Sequence, residues 1–163
     1  MPKKKGYSKL VNLGIPGATS LDLINLQLSD ALKARADLTT VMIGTNDIHQ
    51  FVKVLEFENN LTYIVQELKS KTNSKIVLIN IPYLGSNESL FFPYDVLFNH
   101  QTREYNKKVA KICQDFQISC IDLYSATYDE FKNNQNLYSE DLFHPSDEGY
   151  KFWSEIINGN LDL

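Results

Sequence analysis

Short apolar runs alternate with longer amphipathic stretches along the whole chain. The apolar runs, which are rich in β-branched residues, predict strands at 10–13, 39–43, 75–81 and 118–123. Between and after them apolar residues recur every three to four positions, which predicts helices over 20–36, 54–71, 98–116, 125–134 and 146–157. Strands that alternate with helices imply right-handed crossovers, so we expect an α/β fold with a parallel sheet covered on both faces.

Residues that can carry chemistry follow several of these strands. In parallel sheets ligands bind where the carboxyl ends of the strands meet. Asp141 stands three residues before His144 in the run Asp-Leu-Phe-His-Pro. In a tight loop this carboxylate can accept the Nδ1 proton and leave Nε2 as a general base. A solvated acid followed by a histidine at a helix entry fits the same residues, so the pair alone leaves both readings open.

Glycine and asparagine follow the first two predicted strands. Gly44 lets the backbone approach a ligand and Asn46 offers an amide donor, although both residues also suit an ordinary turn. The run 12–17, Asn-Leu-Gly-Ile-Pro-Gly, opens a helix where free N–H groups can bind an anion. It is similar to a dinucleotide fingerprint, but Pro16 removes one amide and the next strand lacks the acidic residue that a ribose needs.

Together these segments resemble the motifs of the SGNH hydrolase superfamily, the GDSL-type esterases. The matching runs are Asn12-x-Gly14-x-x-Gly17, Gly44-x-Asn46-Asp47 and Asp141-x-x-His144-Pro145. The resemblance extends over nearly the whole chain. It implies a flavodoxin-like three-layer α/β/α sandwich that hydrolyses esters, thioesters or acetylated sugars through an acyl-enzyme.

The resemblance also implies a role for four residues. His144 matches the general base and Asp141 the acid that orients it. Gly17 matches the backbone N–H donor and Asn46 the side-chain donor of the oxyanion hole. Two donors fixed before the reaction would stabilise the developing oxyanion, and loss of one such donor in an enzyme costs about 10²–10³ in rate. The expected substrate is a small-molecule ester, a lipid or an acetylated sugar, with no cofactor.

The family's nucleophile block, Gly-Asp-Ser, does not occur in the 163 residues. In the family this block ends a central strand, which would lie between the strands predicted at 10–13 and 39–43. Without it two strand edges would be unpaired, at about 1–3 kcal/mol for each buried group. We therefore expect the chain to be poorly stable, rearranged, or completed by another chain or as a homo-oligomer. A start at Met1 inside a longer gene is favoured over a truncated relic.

Three serines are candidates for a substitute nucleophile: Ser8, Ser20 and Ser146. Ser20 and Ser146 suit helix caps, and neither lies on the sharp turn that exposes a nucleophile. Without a serine, His144 could activate water directly, at a residual rate of about 10³–10⁴ over water.

Length, charge and composition restrict the classes of function that this protein can have. The length of 163 residues favours one domain, 1–163, and the net charge of -4 argues against nucleic-acid binding. No apolar run is long enough to span a membrane. The start lacks a signal peptide, which indicates the cytoplasm, with export open if the true N-terminus lies upstream. Three histidines and two cysteines lack the spacing of metal ligands, and Cys113 and Cys120 are expected to be reduced core residues.

Lesser signals leave alternatives open. His49 either faces the site or is a bystander, and His100 opens a helix without a motif. Aromatic residues of the loop 83–97 either line an acyl pocket or anchor the loop: Phe91, Phe92 and Tyr94. The sequence favours a serine ester hydrolase that lacks its nucleophile. The rivals are a catalytically dead binding domain and a nucleotide-binding α/β domain.

Overall fold

A computed structural model of the chain describes residues 9–83 and 93–161. The strands are β1 Leu38–Met42, β2 Lys75–Ile79 and β3 Ser119–Ile121. The α-helices are α1 Ser20–Asp22, α2 Leu28–Ala34, α3 Thr45–His49, α4 Val54–Lys71, α5 Tyr94–Phe116, α6 Leu123–Asn133 and α7 Asp147–Asn160. Within these residues the sheet is parallel, with the order β1-β2-β3.

The two faces of β2 bury side chains against different helices. Ile76 and Leu78 join the cluster formed with α4 and α5, whereas Val77 and Ile79 pack with Trp153 and other residues of α7. Alternate residues of a strand point to opposite faces, so one strand supplies both layers of the core. The predicted α/β architecture, a parallel sheet between helical layers, is confirmed.

Helix α4 forms where the apolar spacing predicts it. Its buried residues, each at most 2% exposed, are Phe57, Leu61, Ile64, Val65 and Leu68. Each such side chain contributes about 1.5–3 kcal/mol by leaving water. The same apolar spacing also predicts Leu55 to point inward, which is wrong, because Leu55 is 66% exposed. Helix α5 begins at Tyr94, four residues before the predicted start.

No helix in the described residues is long and apolar enough to cross a membrane.

The prediction of a strand at 10–13 is wrong. The segment has no strand structure, and Leu10 and Val11 are 89% and 45% exposed. A strand requires a hydrogen-bonded neighbour, and among the described residues β1 pairs with β2 alone. The segment is instead held by Gln27, whose Nε2 donates to the Leu13 carbonyl at 2.8 Å.

The helix predicted over 20–36 forms with one wide turn. Thr19 caps it through a reciprocal pair of bonds with Asp22, and a π-helical turn, Leu23–Gln27, separates α1 from α2. Such turns often occur near functional sites. The wide turn brings the Gln27 side chain to the Leu13 carbonyl, so it fastens the loop that precedes the helix.

The two cysteines are bonded to each other. Cys113 of α5 and Cys120 of β3 form a disulfide with their Cα atoms 5.9 Å apart. Cys113 is buried as expected, but Cys120 is exposed. The expectation of two reduced core residues is therefore wrong, because the six residues between the cysteines bring the end of α5 back beside β3.

Candidate active site

A tight loop places Asp141 beside His144. Asp141 Oδ1 accepts the backbone N–H groups of Phe143 and His144, both at 2.9 Å, and the Ser139 hydroxyl at 2.7 Å. Leu142 takes a left-handed conformation (φ 56°) that lets the chain fold back. Local hydrogen bonds alone can form this loop, which explains why the Asp-x-x-His spacing is visible in the sequence.

The carboxylate also orients the imidazole. Asp141 Oδ2 lies 2.6 Å from His144 Nδ1. This bond, followed by those from Phe143, His144 and Ser139, holds the pKa of Asp141 well below its usual range. An ionised carboxylate can only accept, so Nδ1 carries the proton and Nε2 is the basic nitrogen. The pair is solvent-accessible, and it has the geometry of a general base with its orienting acid.

Gly44 lies directly before α3, at a position where no side chain fits. Its φ is 121°, and a Cβ there would lie 2.6 Å from Ile81 Cδ1 and 3.0 Å from Phe57 Cε2. The glycine therefore lets α3 begin directly against the core. As a result, Asn46 lies on the first turn of a short helix and not in an ordinary turn.

Asn46 ties α3 to the loop that contains Gly17. Its Nδ2 donates to the Ala18 carbonyl at 3.0 Å, which leaves one amide hydrogen for a ligand. Gly17 has a φ of 79° and open space where a Cβ would lie, and its N–H donates to no other described residue. The two residues assigned to the oxyanion hole therefore lie on hydrogen-bonded neighbouring segments.

Ser20 and Asp47 form a buried bridge between the same segments. The Ser20 hydroxyl and N–H donate to the Asp47 carboxylate at 2.5 and 2.9 Å, and Asn60 Nδ2 donates to the hydroxyl at 3.0 Å. Burial raises the pKa of Asp47, although the bonds from Ser20 oppose that shift. Ser20 is fully buried and is not the helix cap, so its hydroxyl is unavailable as a nucleophile.

The other serines give different outcomes. Ser146 caps α7 as predicted, accepting the Gly149 N–H at 3.2 Å. Ser8 lies outside the described residues, as do Phe91 and Phe92. Tyr94, the remaining aromatic of that loop, begins α5 and is 61% exposed, so it does not anchor the loop in the core.

His49 connects α3 to the loop of His144. Its ring centroid lies 4.8 Å from that of Phe143 and 5.4 Å from that of Phe98, and the Phe143 ring lies 5.3 Å from the His144 ring. Burial, and then repulsion by His144, lower the pKa of His49. His49 thus lies beside the loop of His144, whereas His100 is exposed on α5.

Sequence reasoning missed Asn106, which holds the chain after β2. Its Oδ1 accepts the Ile81 N–H at 2.9 Å and its Nδ2 donates to the Ile81 carbonyl at 2.7 Å. An asparagine among the inward positions of α5 was the available signal, since buried amides require partners. Across residues 9–83 and 93–161 no group of three or more histidine, cysteine or acidic side chains is placed to hold a metal ion.

A comparison of the chain with known protein families identifies the family to which it belongs. A model of the GDSL-like lipase/acylhydrolase family matches residues 2–152. The chain belongs to the GDSL-like lipase/acylhydrolase family. This membership confirms the resemblance carried by the three motifs. A comparison with curated proteins finds no match.

Solved structures share the GDSL-type fold with this chain. The acetylxylan esterase Axe2 from Geobacillus stearothermophilus is 24% identical, with a TM-score of 0.77, covering 94% of this chain and 72% of its own. The lipase/acylhydrolase from Enterococcus faecalis is 24% identical, with a TM-score of 0.73 and coverage of 88% and 70%. A GDSL-like lipase from Parabacteroides merdae ATCC 43184 is 21% identical, with a TM-score of 0.72 and coverage of 88% and 68%. At these identities the likeness concerns the fold.

Proposed function

We propose that this chain supplies the general base, the orienting acid and the oxyanion donors of a serine ester hydrolase. The observation that carries the proposal is the Asp141–His144 pair at 2.6 Å. The loop that contains Asp141 and His144 contacts α3, the helix that carries Asn46, through the rings of Phe143 and His49. Base and oxyanion donors therefore belong to one connected group of segments.

His144 performs the proton transfers in this mechanism. Its Nε2 takes the proton of a serine hydroxyl while the serine oxygen bonds to the ester carbonyl carbon. Asp141 stabilises the resulting imidazolium, and the Gly17 N–H and the second Asn46 amide hydrogen stabilise the oxyanion. The imidazolium returns the proton to the leaving alcohol. Water then attacks the acyl-serine by the same steps and releases the acid.

In this proposal the nucleophilic serine belongs to an additional strand, which pairs with the open edge of β1. The support is that β1 has one neighbouring strand among the described residues and that Met42 on it is 39% exposed. Exposed Leu10 and Val11 offer apolar surface that a strand could cover. Unpaired strand edges bind extended segments readily. The segment comes from upstream residues of a longer protein or from another chain.

The substrate class is a small-molecule ester, with acetylated sugars as the first candidates. The support comes from the family and from the fold shared with an acetylxylan esterase. The exposure of the Asp141–His144 pair, at 51% and 66% of the side chains, suits a substrate that enters from solvent.

The test compares the 163-residue chain with the same chain extended by a strand that ends in Gly-Asp-Ser. The extended protein should hydrolyse p-nitrophenyl acetate and react with a fluorophosphonate at the added serine. Changing that serine to alanine should abolish labelling, and His144→Ala should lower the hydrolysis rate by a factor of about 10³ or more. Equal rates for His144→Ala and the extended parent would refute the assignment of the base.

A noncatalytic binding domain is the second candidate, and the burial of the Ser20 hydroxyl favours it because the site then has no nucleophile of its own. It predicts that an acetylated xylooligosaccharide binds to the chain in calorimetry. It also predicts that the strand-extended protein neither hydrolyses the ester nor takes the label.

A further inference from the structure

Phe51 ends α3 in a backbone conformation that favours glycine. Its φ is 54°. The Phe51 N–H donates to the Ile48 carbonyl at 3.1 Å, and the Val52 N–H donates to the Asp47 carbonyl at 2.9 Å. This pair of bonds terminates helices through a left-handed residue, a position where glycine is common because a Cβ is strained there.

Burial does little to stabilise the Phe51 side chain. Phe51 is 74% exposed. Gln117 at the end of α5 has the same arrangement, with a φ of 53° and bonds from Gln117 and Ile118 to the carbonyls of Gln114 and Cys113. Glutamine is suited to solvent, whereas an exposed phenyl ring leaves apolar area in water. Neither the backbone nor burial explains a phenylalanine at this position.

The position of Phe51 connects it to the candidate active site. It follows His49 by two residues, and the His49 ring contacts Phe143, the neighbour of His144. The Tyr105 hydroxyl of α5 donates to the Val52 carbonyl and fixes the segment just after Phe51. The backbone of Phe51 is therefore held on both sides, at the end of the helix that carries Asn46 and His49.

We propose that Phe51 is a specificity-determining residue that binds the apolar group of the ester substrate at the rim of this site. Leu55, four residues further on and 66% exposed, adds apolar surface near it along the chain. The apolar group is either the acyl chain or the alcohol part of the ester. The identification of the ligand as an ester rests on the proposed function, whereas binding of an apolar group by Phe51 does not.

The test uses amides, which resemble the esters but are not hydrolysed. N-phenylhexanamide and N-phenylacetamide are titrated into the isotopically labelled 163-residue chain and followed by NMR. The variants are Phe51→Gly, Phe51→Leu and the matched control Gln117→Gly, each also measured by thermal unfolding. Both glycine variants should melt at a higher temperature because the left-handed strain is relieved.

Binding should separate the two sites. Phe51→Gly should weaken binding of N-phenylhexanamide about tenfold, whereas Gln117→Gly should bind like the parent and Phe51→Leu should keep most of the affinity. A loss confined to the hexanamide assigns Phe51 to the acyl side, and an equal loss for both amides assigns it to the alcohol side.

Three results would overturn the inference: unchanged affinity in Phe51→Gly, a lower melting temperature in that variant, or no saturable binding by the parent chain. Failure of the proposed function is a different result. In that case the parent binds the amide and Phe51→Gly does not, yet the strand-extended protein fails to hydrolyse p-nitrophenyl hexanoate.

Discussion

Asn46 donates a hydrogen bond from Nδ2 to the carbonyl oxygen of Ala18, 28 residues earlier in the chain, at 3.0 Å. This bond sets α3 against the loop of Gly17, so one side chain joins the two segments that would stabilise an oxyanion. Its second amide hydrogen remains for a ligand. Asn46 therefore combines a structural contact with a proposed chemical role.

Replacing Asn46 should separate these two contributions. Asn46→Ala leaves the Ala18 carbonyl without its partner, so the free energy of unfolding should fall by about 1 kcal/mol. In the strand-extended enzyme the rate of ester hydrolysis should fall by a factor of about 10²–10³. Asn133→Ala, which removes an amide-to-carbonyl bond to Asp129 on α6, should leave the rate unchanged. Equal rates for the two variants would remove Asn46 from the oxyanion hole.

Gly44→Ala should destabilise the protein by about 2–5 kcal/mol. The new Cβ combines a φ of 121° with a separation of 2.6 Å from Ile81 Cδ1 and 3.0 Å from Phe57 Cε2. Gly159 lies in α7 with open space around it, so Gly159→Ala should raise stability by up to about 1 kcal/mol. Urea unfolding measures both variants. An unchanged free energy of unfolding in Gly44→Ala would contradict the close packing of Gly44 against Ile81 and Phe57.

Ser20→Ala should lower the stability of the protein but should not remove its nucleophile. It removes one donor from the buried Asp47 carboxylate and the acceptor of Asn60, so the free energy of unfolding should fall by about 1–3 kcal/mol. The exposed control Ser154→Ala should change it by less than about 0.5 kcal/mol. Fluorophosphonate labelling of the strand-extended protein should persist in Ser20→Ala, and loss of the label with an intact fold would identify Ser20 as the nucleophile.

Asp141 should stabilise the fold only above the acidic range. The folded-state pKa lies below the unfolded value, so the unfolded chain binds more protons as the pH falls. The stabilisation is therefore present above about pH 4 and is lost as the pH falls through the folded pKa. Unfolding of the parent and of Asp141→Asn should differ most near about pH 7, and the difference should shrink progressively as the pH falls below about 4. A difference that persists in acid would mean that the carboxylate charge is not its source.

His49 should make the protein less stable as the pH falls. Its folded pKa lies below its ordinary value, so the unfolded chain takes up the proton first and stability drops below about pH 6.5. NMR titration should show the low pKa of His49, and His144→Gln should raise it part of the way because burial, the larger cause, remains. His49→Phe preserves an aromatic ring against Phe98 and Phe143 and should remove this contribution. An unchanged His49 titration in His144→Gln would disprove the interaction between the two histidines.

Local patterns were sufficient for the elements that bury a regular face. The apolar spacing predicted α4 at its observed bounds because Leu61, Ile64, Val65 and Leu68 all point into one core. The Asp141–His144 pair was also predictable, since hydrogen bonds within six residues form its loop. By contrast, α3 was missed because Thr45–His49 is too short to show a helical period.

By itself, the amino-acid sequence determined the alternation of strands and helices and the chemical identity of the residues at the sheet edge. Only the tertiary structure decided which of them meet. The segment at 10–13 is not a strand because pairing needs a neighbour. Ser20 is buried because Asp47, 27 residues away, receives its hydroxyl. His49 lies beside the loop of His144 because Phe143 folds back onto α3. Each outcome depends on contacts between distant parts of the chain, which no local pattern of residues encodes.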